Sequence, residues 1–179
     1  MKVVISGPQG TGKSTLLREL KQNSSLVNIN FLDEVVRKLI ASKGIEINKT
    51  GSVASQQAVF DQHLANVGEY THFITDRGAI DAFVYTTWSY RHGLFTEDEY
   101  KAFEKYFLAC MSHYTHLFYL PIEFEMIEDG VRNTEKEYQK ELEGIYLELY
   151  EKYKLPFTFL KGSVKERVEL FLHTISVVM

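Results

Sequence analysis

Residues Gly7 to Ser14 read GPQGTGKS, a glycine followed after four residues by Gly-Lys-Ser, and no other stretch restricts the possible folds as much. The pattern needs a strand before it and a helix after it. Lys2–Ile5, KVVI, is a short β-branched run that reads as a strand, and Thr15–Lys21 reads as a helix. In that setting Gly7, Gly10 and Gly12 let the N–H groups of the loop, through Thr11, Lys13, Ser14 and Thr15, turn inward on phosphate oxygens at the positive end of a helix dipole. Lys13 is placed to reach the β- and γ-phosphates of a nucleotide, and the Ser14 hydroxyl to ligate Mg²⁺. The alternative is a glycine-rich strand–helix turn that meets the pattern by chance. The complete spacing in the right context argues against it.

The 179 residues suit one domain, 1–179, with a sizeable core. A single cysteine, Cys110, excludes a disulfide framework and a thiolate zinc site; it points to a reducing, cytoplasmic setting and to a small buried hydrophobe. No apolar run approaches the ~18 residues of a membrane span. A start directly in a strand predicts no signal peptide. The formal net charge of −4 counts against a duplex-binding surface, which is usually basic, and leaves room for a local phosphate pocket. The histidines show no metal-ligand spacing.

Strand-like and helix-like runs alternate along the chain. The strands expected are Lys2–Ser6, Val27–Leu32, His72–Thr75, His116–Leu120 and Phe157–Leu160. The helices expected are Lys13–Gln22, Glu34–Ser42, Val53–Gly68, Ala79–Arg91, Glu97–Ser112, Glu135–Tyr153 and Val164–Ser176. Such alternation predicts an α/β fold with a parallel sheet covered on both faces. Ligands then bind beyond the carboxyl ends of the strands, so the residues just after each strand are the candidates.

Asp76 follows the apolar run HFIT and is placed to hold Mg²⁺ through water; its bland role is to cap the next helix. Arg77 comes next, with donors that match phosphate geometry, or else a surface ion pair. Asp81 lies one helical turn beyond Arg77 and either binds substrate hydroxyls or orients Arg77. After the second strand, FLDE ends in Asp33 and Glu34. A carboxylate there can fix or deprotonate an acceptor hydroxyl, with helix capping as the alternative, particularly for Asp33. Arg37 shares the face of Glu34. Gln56 and Gln57 open the helix that also carries Phe60 and His63, and amides can read a base or ribose edge. Arg132, in the polar connection after the fourth strand, suits a cation that closes over the phosphates; a solvated loop is the alternative. Trp88, Tyr85 and Tyr90 read as core aromatics, with a base-stacking platform as the other option.

Taken in order, GPQGTGKST, DE-V-V-R, a Gln-containing helix, TDRGAIDAFVY, DGVR and KGSVKERV resemble a family of phosphate-loop kinases over nearly the whole chain. The chain is similar to the nicotinamide riboside kinase domain of the bacterial NAD regulator, and more distantly to thymidylate and deoxynucleoside kinases. The resemblance implies a five-stranded parallel sheet in the order 2-3-1-4-5, a lid at about 121–136, and transfer of the γ-phosphoryl group of ATP. It implies Lys13 and Ser14 on phosphate and Mg²⁺, and Glu34 at the acceptor hydroxyl. Arg37, Arg77 and Asp81 would surround the acceptor, Arg132 would sit in the lid, and Gly162 and Ser163 beside the adenine. Thymidylate kinases grip an acceptor phosphate with arginines in the helix that corresponds to Val53–Gly68. Here that helix has none, only His63, which counts against a monophosphate acceptor unless Arg37 or Arg91 serves.

The expectation is therefore an ATP- and Mg²⁺-dependent kinase with a small nucleoside or nucleotide acceptor and no membrane partner; a homodimer is left open. A kinase acting on modified nucleotides in DNA is disfavoured by the acidic balance. A GTPase switch or mechanical ATPase is the rival class. The only stretch like the guanine-reading Asn-Lys-x-Asp is NKTG at Asn48–Gly51, in the wrong place and with the wrong last residue.

Overall fold

Val3, Val4 and Ile5 are fully buried because their strand lies in the middle of the sheet, covered on both faces. The computed structural model describes residues 1–33, 52–123 and 133–176. In chain order its elements are β1 (Lys2–Ser6), α1 (Lys13–Lys21), a 3₁₀ turn (Ser24–Leu26), β2 (Asn30–Leu32), α2 (Val53–Glu69), β3 (Phe73–Asp76) and α3 (Ala79–Arg91). There follow α4 (Glu97–Met111), β4 (His116–Tyr119), α5 (Asn133–Lys152), β5 (Thr158–Phe159) and α6 (Val164–Ser176). The five strands pair in parallel in the order β2-β3-β1-β4-β5.

Successive strand residues point to opposite faces, and this alternation sorts the core into two layers. Val4, Leu117 and Tyr119 pack with α2, α3, α4 and α5. Val3, Ile5, Phe118 and Leu120 pack with Leu16, Leu17 and Leu20 of α1 and Phe171 and Ile175 of α6. The result is a three-layer sandwich, as the alternation of elements predicts.

The register places the site. Ile5 pairs with Asp76 and Ser6 with Tyr119, so the phosphate loop leaves β1 between the ends of β3 and β4. Chain connections run from the middle strand to both sides, and a crevice forms at the strands' carboxyl ends.

Several boundaries differ from the sequence expectation. The run expected as a strand over Val27–Leu32 is extended only at Asn30–Leu32. Asn23 caps a 3₁₀ turn over Ser24–Leu26, and Val27 is 80% exposed, so its β-propensity meets no partner. β5 is two residues long where four were expected, as an edge strand paired on one side. α5 starts at Asn133, so the final residues of the expected lid are helical. The expected helix Glu34–Ser42 lies outside the described residues. Among the described residues no helix is long and apolar enough to cross a membrane.

Candidate nucleotide site

The phosphate loop is shaped by its glycines and held from behind. Gly7 has φ +138, and a Cβ there would lie 2.4 Å from the Leu120 carbonyl oxygen, so only glycine lets the loop pass the end of β4. Gly10 and Gly12 also have positive φ. Gly12 is the N-cap of α1 and supplies no side-chain cap, which leaves the first turn's N–H groups facing the loop. Side chains close two other helices, Ser52 at α2 and Thr96 with Glu99 at α4; α3 also starts on a glycine, Gly78, but Asp81 of its first turn takes that residue's N–H. Lys13 is 5% exposed, and its ammonium donates to the Gly7 carbonyl at 2.8 Å, the Pro8 carbonyl at 2.5 Å and Thr11 Oγ1 at 3.3 Å. Burial and then the nearby Arg77 push its pKa down to about 7, against the pull of Asp81 and Asp76.

Ser14 Oγ donates to Asp76 Oδ2 at 2.9 Å, joining the start of α1 to the end of β3. Asp76 Oδ1 is buried and has no hydrogen-bond partner. A hydroxyl beside a carboxylate with an unused, inward oxygen is a donor set that suits a hard cation such as Mg²⁺, which takes few protein ligands and fills the rest with water and phosphate. No group of three or more acidic, His or Cys residues suited to a metal occurs among the described residues.

Arg77 sits at the same edge in a strained backbone. Its φ of 75 is rare for a residue with a Cβ, and it is held by its N–H to the Ile5 carbonyl and by Thr75 Oγ1 donating to its carbonyl. The guanidinium lies 3.5 Å from Asp81 Oδ1 and donates to the Tyr85 hydroxyl at 3.4 Å, over whose ring it is centred at 5.7 Å. Burial works against its charge, but Tyr85, Tyr146, Asp81 and Asp76 outweigh it and raise its pKa above the ordinary value. Asp81 is 2% exposed. One of its oxygens accepts from the Gly78 N–H at 2.9 Å, the other from the Tyr146 hydroxyl at 2.6 Å and the Gly7 N–H at 3.4 Å. Burial pushes its carboxyl pKa upward, against Arg77, Tyr146, Lys13 and the Gly78 N–H. Of the two roles open to Asp81, this arrangement favours orienting Arg77 over meeting substrate.

The remaining candidates are scattered. Asp33 forms an ion pair with Lys21 at 2.7 Å beside β2. Gln57 donates to Asp61 one turn along α2, whereas Gln56 reaches across to the Ala82 carbonyl and Thr86 of α3 and so buttresses the two helices. Trp88 is 8% exposed and donates to Glu141, a core position; Tyr85 alone of the aromatic trio lies against Arg77. The Gly162 N–H is engaged by Glu123, and both the N–H and the hydroxyl of Ser163 by Glu166. Glu34, Arg37 and Arg132 lie outside the described residues.

His63 of α2 is 2% exposed, and Nε2 has no hydrogen-bond partner. Burial lowers its pKa from 6.5 to about 4, so it is neutral in the folded protein at neutral pH. The unfolded chain binds the proton first. Stability from this residue is complete above about pH 6.5 and drains away as pH falls toward about 4. At about 1.4 kcal/mol per tenfold, the gap is worth roughly 3 kcal/mol. Urea unfolding at pH 7.5, 6 and 5 should show that loss in the wild type and a flatter acid limb in His63→Leu. Equal slopes would mean that His63 is not the group that titrates.

Sequence reading missed the residues that hold the loop. Gln139 of α5 donates to the Gln9 carbonyl and Arg167 of α6 to the Thr11 carbonyl at 2.9 Å, while the Tyr146 hydroxyl of α5 shares its one proton between Asp81 and the Gly7 carbonyl, 3.2 Å away. One signal was available for Arg167: it falls at the same helical spacing as Phe171 and Ile175, a cation on an apolar stripe.

A phosphate loop after the first strand, an acid paired with its serine, and the 2-3-1-4-5 sheet define a protein with the phosphate-loop kinase fold. The chain matches the AAA domain family over residues 2–167 and belongs to it. No curated protein matches. Among solved structures, a deoxyadenosine kinase from M. mycoides with products dCMP and a flexible dCDP bound has a TM-score of 0.67 at 17% identity, with 100% of both chains covered. The NadR protein in complex with NR has a TM-score of 0.67 at 20% identity over 90% of this chain and 46% of that one. The YorR protein from Bacillus subtilis, in complex with phosphorylated GDP, has a TM-score of 0.60 at 14% identity over 99% of this chain and 96% of that one. At such identities the likeness is one of fold.

Proposed function

We propose that the chain is an ATP- and Mg²⁺-dependent kinase that transfers the γ-phosphoryl group to a nucleoside or (deoxy)nucleoside monophosphate. The observation that carries this reading is the convergence of Lys13, the Ser14–Asp76 pair and Arg77 at one edge of the sheet. The full-length likeness to a deoxyadenosine kinase supports it. Lys13 would leave its loop carbonyls for the β- and γ-phosphates, and Arg77 would offset charge on the acceptor side. Ser14 and Asp76 would hold Mg²⁺, which when bound neutralises charge on the phosphates. In the transfer the acceptor hydroxyl oxygen bonds to the γ-phosphorus while the bond to the β–γ bridging oxygen breaks. ADP departs with that electron pair, and the hydroxyl proton passes to Glu34. Arg132 would approach the transferring group from the segment after β4, and the Gly162–Ser163 turn would lie beside the base.

Within this class a nucleoside fits better than a monophosphate. α2 carries no Lys or Arg, and its one histidine is buried and neutral, so the helix offers no cation to an acceptor phosphate. Nicotinamide riboside belongs among the nucleosides to test, since NadR, a protein of similar fold, was solved in complex with NR. The test is a screen of nucleosides and monophosphates with labelled ATP; no transfer to any of them would overturn the reading.

The two neighbouring carboxylates should separate in single-turnover transfer. Glu34→Gln is expected to slow the step by roughly 10²–10⁴, the usual worth of a general base. Asp33→Asn should change it only a few-fold, because Asp33 already pairs with Lys21. A large loss at Asp33 with none at Glu34 would exchange their roles.

A further inference from the structure

Arg167 is 3% exposed, a rare place for a guanidinium, and it serves two acceptors on different parts of the nucleotide edge. Nη1 donates to the Thr11 carbonyl at 2.9 Å, and Nη2 to Glu123 Oε2 at 2.6 Å. Glu123, just beyond β4, also accepts the Gly162 N–H, at 2.9 and 3.1 Å from its two oxygens. One buried side chain thus links the phosphate loop, the segment after β4 and the turn that opens α6. The fit is close: a Cβ on Gly12 would come within 3.2 Å of Nη1.

The consequence for the loop follows from peptide geometry. In a trans peptide the C=O and the following N–H point in opposite directions. The described residues contain no cis bond. Drawing the Thr11 carbonyl toward α6 therefore turns the Gly12 N–H away from α6. Gly7 and Gln9, at alternate positions before Thr11, have their carbonyls held by Tyr146 and Gln139 of α5. Arg167 does for the last peptide of the loop what α5 does for the earlier ones.

We propose that Arg167 is the positioning residue of the nucleotide subsite: it aims the Gly12 N–H at phosphate and, through Glu123, ties the loop to the turn that opens α6. This rests on the kinase reading above. Arginine suits the role because its planar fork reaches two acceptors at once, while an ammonium is a single point donor group. Glu123 offsets the buried charge and keeps the fork from turning.

The test is calorimetric titration of ATP with Mg²⁺ into the full chain, at a temperature well below each variant's Tm. Arg167→Met should bind ATP about tenfold more weakly or worse, the scale of one hydrogen bond to a charged group. Arg167→Lys should recover part of the loss, and Glu123→Gln should fall between wild type and Arg167→Met. A purely structural role would lower Tm and leave the dissociation constants of the folded variants together. Binding by folded Arg167→Met within twofold of wild type overturns the inference while leaving the kinase reading standing. Should that variant fail to fold, Arg167→Lys and Glu123→Gln are judged by the same limit. A wild-type chain that binds no ATP overturns the kinase reading and this inference with it.

Discussion

In the kinase reading, Lys13→Ala should lower phosphoryl transfer by on the order of 10³-fold, whichever nucleoside or monophosphate is the acceptor. Lys13 carries the one ammonium seated within the loop, bonded to the carbonyls of Gly7 and Pro8. Its charge is held against burial and against the neighbouring Arg77, so the loop keeps it at an energetic cost. A phosphate entering the loop would supply the counter-charge that those carbonyls provide only in part. The interaction strengthens as charge shifts onto the transferring oxygens, so the loss should fall mainly on kcat. Stability should move little, or rise, because alanine removes a buried charge. Steady-state rates beside urea unfolding separate the two effects. A folded Lys13→Ala chain with near-normal turnover would sink the kinase assignment.

Asp81→Ala should destabilise the fold by about 3 kcal/mol, the low end of the range for breaking a buried ion pair, because Asp81 is buried but the Arg77 side chain is 24% exposed. The carboxylate is a junction rather than a surface acid. It meets the Arg77 guanidinium, the Tyr146 hydroxyl and the N–H groups of Gly7 and Gly78, four groups drawn from three separate places in the chain. Alanine would remove the counter-charge of a permanently charged arginine, which among the described residues keeps only the Tyr85 hydroxyl, and leave the buried Tyr146 phenol with only the more distant Gly7 carbonyl. Asp81→Asn keeps the shape and one acceptor oxygen and should cost less. Tyr146→Phe removes a single donor and should cost about 1 kcal/mol. Equilibrium unfolding of the three variants gives the ranking, and Asp81→Ala within 1 kcal/mol of wild type would contradict it. In the kinase reading, nucleotide affinity should fall in step with stability, because the same group anchors the first residue of the phosphate loop.

How much of the site was legible in the residues depends on whether its parts are local. Gly7, Gly12, Lys13 and Ser14 stand in one run, and their spacing dictates their geometry. Asp76 and Arg77 are legible as candidates because a parallel sheet brings every strand end to one edge, and there Asp76 accepts from Ser14. The sequence does not separate the adjacent amides Gln56 and Gln57: Gln57 donates to Asp61 on its own helix while Gln56 reaches α3, because which of the two faces inward depends on how α2 packs on α3.

By itself, the sequence determined the phosphate loop, the alternation of strands and helices, and the extents of α3 and α6, which match the expected Ala79–Arg91 and Val164–Ser176. Those features depend on neighbours a few residues away: turn chemistry, apolar periodicity and end caps. The tertiary structure alone decided that Val27 stays outside the sheet, that Asp81 is a buried anchor, and that Gln139, Tyr146 and Arg167 grip the loop. Each of those three donors lies more than a hundred residues beyond the carbonyl it holds. Helical period assigns such a residue to a face. What that face meets, and whether water is excluded strongly enough to make one hydrogen bond matter, is settled only when the layers close over one another.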